Sequence, residues 1–155
     1  MARQYWLVKS EPDSFSIDDL EKAGSTSWEG VRNFQARNLM KEMKQGDRVL
    51  FYHSSTKPPG VAGIAEVVRE AYPDHHAWSK KSDYFDAKAS PDNPIWVMVD
   101  VGFVEKLPRL VSLDEIKATP DLADMVLVKR SRLSVQPVTK SQFERIVKLA
   151  GEAGE

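Results

Sequence analysis

The chain has 155 residues with 22 basic and 23 acidic side chains, enough length for one domain with its own core and no bulk charge to draw it to DNA or anionic lipid. It has no cysteine, which excludes thiol nucleophiles, disulfides and cysteine-ligated metal centres. No apolar run approaches membrane-spanning length and the N-terminus has no signal-peptide core, so a cytoplasmic protein without membrane contact is expected.

Gln4 to Lys9 reads as a short strand, rich in aromatic and branched residues and ended by Ser10-Glu11-Pro12. Ser16 opens a short helix with Asp19 at the capping-box position, and Gly24 closes it. Trp28 to Asn38 is a different kind of segment. An indole, a carboxylate, a guanidinium and an amide fall between Trp28 and Asn33, a set that is expensive to bury unless a ligand satisfies it. A helix begins near Asn33, with Ala36, Leu39, Met40 and Met43 at helical spacing and Gly46 just past its end.

Asp47 to His53 and Val61 to Val68 read as neighbouring strands, joined by Lys57-Pro58-Pro59-Gly60 in a turn expected to need a positive φ at Gly60. Residues 72 to 94 are too irregular for an element and too long for a plain connector, a length at which loops are often functional. Ile95 to Val104 alternates as a strand buried on one face. Ser112 with Glu115 forms a second capping box, Leu133 to Val138 a last strand, and Thr139 with Gln142 caps a final helix striped by Phe143, Ile146, Val147 and Ala150. Strands interleaved with irregularly spaced helices argue for α+β with a curved sheet or small barrel. One domain is expected over residues 1–151, with 152–155 a frayed tail.

Several segments together resemble the EVE domain family over nearly the full chain. They are Tyr5-Trp6-Leu7-Val8-Lys9-Ser10-Glu11-Pro12, Trp28-Glu29-Gly30-Val31-Arg32-Asn33 with Gln35-Ala36-Arg37-Asn38, and Gly46-Asp47 leading into Phe51-Tyr52-His53-Ser54. Pro59-Gly60-Val61-Ala62-Gly63, Tyr72-Pro73-Asp74, Tyr84-Phe85-Asp86 and Arg132-Leu133-Ser134-Val135-Gln136-Pro137-Val138 continue the set. The resemblance implies a PUA-like fold, a strongly bent β-barrel flanked by short helices, and a reader of modified bases in DNA or RNA. Ser55-Thr56, Pro58-Pro59 and Asp92-Asn93 depart from the pattern in loops.

A flipped base needs an aromatic wall plus fixed donors and acceptors. Trp28 and Asn33 offer one of each, against the alternative that Trp28 fills the core and Asn33 merely caps its helix. Ser10 ends the first strand, where a hydroxyl meets a base edge or only terminates a turn. On the next strand Phe51 and His53 share one face and Tyr52 and Ser54 the other; Tyr52, His53 and Ser54 carry polar tips and join the ligand-binding set. Lys129, Arg130, Arg132, Lys140, Arg145 and Lys148 stand against Glu144 alone in a local basic excess. Of these, Lys129, Arg130 and Arg132 are expected to bind phosphate because the resemblance places the segment after them near the pocket; Arg32 and Arg37 extend that surface unless they pair with nearby carboxylates. Asp74-His75-His76 with Asp83 and Asp86 lacks the helical spacing that aims two imidazoles at one ion, so it reads as a solvated loop and no metal site.

No phosphate loop, nucleophile elbow or Rossmann fingerprint is present, and no cofactor is implied. The reading is therefore a non-catalytic reader with no catalytic residue. Its alternatives are a hydrolase acting on a modified nucleobase with Glu29 or His53 as general base, and a module binding peptide at a strand edge.

Overall fold

The computed structural model describes residues 3–29, 31–82, 84–130 and 133–151. Strand β1 (Tyr5–Ser10) leads to helix α1 (Ile17–Ala23), whose capping box forms as the sequence predicts: Ser16 Oγ accepts from the Asp19 amide, and Asp19 accepts from the Ser16 amide. Gly24 ends α1 at φ 81°, open to a residue without Cβ. Strand β2 (Ser25–Trp28) follows, then helix α2 (Phe34–Glu42) with Asn33 as its cap. The sequence gives no sign of β2, because four residues are too few to show an alternation.

Strands β3 (Arg48–His53) and β4 (Gly60–Pro73) pair antiparallel as expected. Gly60 does not take the expected positive φ. What it needs is the missing Cβ, which would collide with the Val111 carbonyl oxygen of the neighbouring strand. Strand β4 and β5 (Val97–Ser112) run well beyond their sequence-predicted ends and form a long ribbon with four register shifts. Such bulges bend a strand and sharpen its twist.

Helix α3 (Leu113–Ala118) has half of its expected box: Ser112 Oγ accepts from the Glu115 amide, but the Glu115 carboxylate turns to Arg109, at 2.7 and 2.6 Å from its two terminal nitrogens. Helix α4 (Val126–Lys129), strand β6 (Val135–Val138) and helix α5 (Lys140–Gly151) complete the chain. Thr139 and Gln142 cap α5 reciprocally at 3.1 and 3.0 Å.

The fold is α+β, with six strands in the order β2-β5-β4-β3-β1-β6 and β1 parallel to β3. The ladder is not closed, so β2 and β6 are its edges. Alternation along the strands sends side chains to two cores. Trp6, Val8, Val49, Phe51, Val99 and Val101 join Leu20 of α1 and Met40 of α2 on one face. Leu7, Leu50, Tyr52, Val61 and Val111 join Ile116 of α3 and Ile146 and Leu149 of α5 on the other.

The sheet curls strongly toward the first core. In a flat sheet β2 and β3, separated by β5 and β4, would stand about 14 Å apart at roughly 4.8 Å per strand. Yet Trp28 of β2 and Phe51 of β3 meet with ring centroids 5.5 Å apart. Among the described residues no helix is long and apolar enough to cross a membrane.

Candidate functional site

The curl brings the end of β1 opposite β2 and leaves between them a cleft of about 410 Å³, within the range of small-ligand sites. Lys9, Ser10 and Glu11 form one wall and Thr26 to Glu29 the other. Ser14 and Phe15 close one side, and Tyr84, from the long loop, reaches in from outside. A larger concavity of about 620 Å³ lies at the other end of β1. Its buried carboxylate, Asp47, is engaged by the protein itself, accepting from the Gln4 and Lys44 amides and the Trp6 indole. That arrangement ties a turn to β1, whereas the first cleft presents several polar side chains to its space.

Trp28 is half-buried, with its indole packed against Phe51 at an interplanar angle of 86° and also bordering the cleft. The indole thus packs against the core and also lines the concavity. Glu29 stands beside it. Its Oε2 accepts from Ser27 Oγ at 2.8 Å and lies 2.9 Å from His76 Nε2, while among the described residues Oε1 has no protein hydrogen bond. A fixed carboxylate next to an indole can accept from the amine of a flat heterocycle stacked there.

Ser10 lines the cleft, with its hydroxyl donating to the Phe15 carbonyl oxygen at 2.5 Å. This bond shapes the turn that closes the pocket and leaves the hydroxyl oxygen as an acceptor. His53 sits beside Ser10 in register on β3, and its Nε2 accepts from the Ile17 amide at 3.1 Å. That bond fixes a neutral imidazole protonated at Nδ1. Burial pulls the His53 pKa below 6.5, and Lys106 acts in the same direction against the opposing pull of Asp18. His53 thus anchors α1 to the sheet, a role unlike that of a base aimed at the cleft.

Four of the sequence-predicted ligand residues, His53 and three others, lie outside these walls. Asn33 is exposed and accepts from the Ala36 amide at 2.9 Å, capping α2. Tyr52 is 3 % exposed and faces the second core, with Lys9 Nζ 5.6 Å from its ring centroid; burial raises its pKa and lowers that of Lys9. Ser54 follows β3, and its amide donates to the Ser10 carbonyl oxygen at 2.9 Å. The strand alternation that places His53 beside Ser10 carries Tyr52 away from them.

Among the basic residues, Lys129 pairs with Asp124 at 3.2 Å, Arg130 donates to Gln35 Oε1 at 2.9 Å, and Arg132 lies outside the described residues. Arg130 thereby stands against the first turn of α2. Arg32 takes the ion-pair role, 3.1 Å from buried Asp74, and its Nε and Nη2 donate to the Tyr84 carbonyl oxygen at 3.0 and 2.7 Å. Arg37 donates to the Ile95 carbonyl oxygen. Asp86 accepts from the Trp96 indole at 2.7 Å, so Asp74, His76 and Asp86 each have a structural partner, and Asp83 lies outside the described residues.

Sequence reasoning missed Ser14, Phe15, Thr26, Ser27 and Tyr84 as lining residues. The first four are small or common residues without a motif. Tyr84 arrives through the Arg32 clamp, across 52 positions of sequence.

The sequence comparison matches the EVE domain over residues 4–149. Human thymocyte nuclear protein 1 is 43% identical over 164 residues, covering 94% of this chain and 73% of that protein. A hypothetical protein from Leishmania major has a similar structure, with a TM-score of 0.94 and 51% identity, covering 97% of this chain and 96% of that one. The human THYN1 protein in complex with DNA containing 5-methylcytosine has a TM-score of 0.93 at 41% identity, covering 97% of this chain and 99% of that one. With family match, relatives and curled sheet agreeing along almost its whole length, the chain belongs to the EVE domain family.

Proposed function

We propose that this protein is a non-catalytic reader that takes a modified nucleobase, flipped out of DNA or RNA, into the cleft between β1 and β2. The observation that carries the reading is the pairing of the Trp28 indole with the Glu29 carboxylate on one wall of a cleft of about 410 Å³. Trp28 supplies a surface for the base face, and Glu29 and Ser10 supply acceptors for its edge. Support comes from the 41% identical human protein solved with 5-methylcytosine DNA, which makes 5-methylcytosine the first ligand to test. We include a cytoplasmic setting in the proposal.

Magnitudes fix how the parts must share the work. Burying a methyl group contributes about 0.8 kcal/mol, less than a tenfold preference. Recognition of the modification therefore also needs shape and edge contacts. Flipping costs a few kcal/mol and stacking on an aromatic returns roughly 1 to 3, so phosphate contacts must add to the total. Lys129, Arg130 and Arg132 are the proposed source.

The test is titration of methylated and plain oligonucleotides at two salt concentrations with wild type and Arg130→Ala. Preference of the wild type for the methylated strand is expected, with a salt slope reduced by about one in the variant. Equal affinity for the two strands would remove the reader reading. Recovery of chemically altered base after incubation would favour the hydrolase alternative.

A further inference from the structure

A second aromatic surface lies outside the cleft, on the first turn of α2. Phe34 is 59% exposed, the most exposed large apolar side chain among the described residues. Its ring is held rather than loose. It stacks on Trp96 at 4.8 Å between centroids and 25° between planes, and Trp96 is itself buried and pinned by its indole bond to Asp86. The Arg37 guanidinium stands 4.8 Å from the Phe34 centroid and 5.9 Å from that of Trp96. A guanidinium lying across Phe34 from Trp96 would be nearly twice as far from the indole as from the phenyl ring. Arg37 therefore flanks the stack, and the outer face of Phe34 is left to solvent.

The surroundings say what chemistry fits that face. The first turn of α2 carries no acidic residue, Arg37 lies at one side, and Arg130 is held at the next residue, Gln35. The surface is continuous with the cleft: Arg32 lies 5.5 Å from the Trp96 ring and 5.7 Å from the ring of Tyr84, which lines the cleft. A held aromatic face with Arg37 at its side and Arg130 at the neighbouring Gln35 suits a polyanion that carries flat bases, since a base can stack while its phosphates meet the guanidinium groups.

We infer that Phe34 is a stacking platform for an unpaired base of the same nucleic-acid strand, a few nucleotides from the one held in the cleft. The inference rests on the reader function for the choice of strand, but its effect is separable from it. A platform acts on any base, so it raises affinity without regard to modification.

The experiment titrates fluorescently labelled single-stranded oligonucleotides, one with a central 5-methylcytosine and one with cytosine, with wild type, Phe34→Ala and Phe34→Trp. Phe34→Ala is expected to weaken binding to both strands by about tenfold or more, leaving their ratio unchanged, and Phe34→Trp to restore it. Thermal melting checks that the variants fold, as an exposed position predicts. Unchanged affinity of Phe34→Ala overturns the platform, as does a loss confined to the methylated strand. Equal wild-type affinity for the two strands overturns the reader instead, and the platform is then still judged on the variant-to-wild-type ratio for either oligonucleotide.

Discussion

Trp28 and Phe51 meet edge to face at 5.5 Å although two strands separate β2 from β3 in the hydrogen-bonded ladder. The contact holds the curl of the sheet from inside and sets one wall of the cleft. Truncating Trp28 should therefore affect stability and binding together. Trp28→Ala is expected to lose roughly 2 kcal/mol of stability, less than a fully buried tryptophan because the ring is half-buried, and to bind a methylated oligonucleotide at least tenfold more weakly. Trp28→Phe should recover most of both. Urea unfolding beside fluorescence titration checks this, and stability lost without binding loss would assign the indole to the core alone.

Glu29 is placed as a carboxylate acceptor by Ser27 and His76. Exchanging it for an amide keeps the shape but offers a donor to the base edge. Glu29→Gln is expected to reduce discrimination between an amino-bearing cytosine derivative and thymine by roughly 1 to 3 kcal/mol, with little change in thermal midpoint. Competition titration with matched oligonucleotides reads the difference directly. An unchanged ratio would show that Glu29 does not address the edge.

His53 links pH to stability. Its folded-state pKa is lowered, chiefly by burial, so between 6.5 and that lower value the unfolded chain binds more protons than the folded one. Stability must then rise with pH through this window. The His53 contribution is complete above 6.5 and declines as pH falls toward the folded-state value. Urea midpoints at acid and neutral pH should show a larger acid loss for wild type than for His53→Gln, whose amide oxygen can still accept from the Ile17 amide. Equal acid losses in the two proteins would refute this role.

Asp47 is 3 % exposed and accepts hydrogen bonds from the Gln4 amide, the Lys44 amide and the Trp6 indole. Replacing it with alanine orphans all three donors at once, at about 1 kcal/mol or more each. Asp47→Ala is expected to be about 3 kcal/mol less stable, and Trp6→Phe, which removes one donor, to change stability by much less. Chemical denaturation of both variants tests the ranking.

Local chemistry made much of the chain legible in one dimension. Ser16 with Asp19, Thr139 with Gln142 and Gly24 name helix ends because their partners are only a few residues away. The alternation of Val97, Val99 and Val101 names a strand for the same reason, and the combined segments named the family. Tyr52, Asn33 and Tyr84 show where such reasoning stops. Tyr52 and His53 are equally polar at their tips, yet the pleat puts them on opposite faces, and only the pairing of β3 with β1 decides which face meets Ser10.

By itself the sequence determined the helix caps, most strand positions, the α+β class and the presence of a polar aromatic segment around Trp28, because each depends on contacts within a few residues. Tertiary structure alone decided how far β4 and β5 extend, that β2 exists, and which side chains share the cleft. Those outcomes depend on the bulged curl that brings β2 over β3 and the end of β1, and on the Arg32 clamp that carries Tyr84 to the cleft. Curvature is a sum over many strand pairings, and no single stretch of sequence carries it.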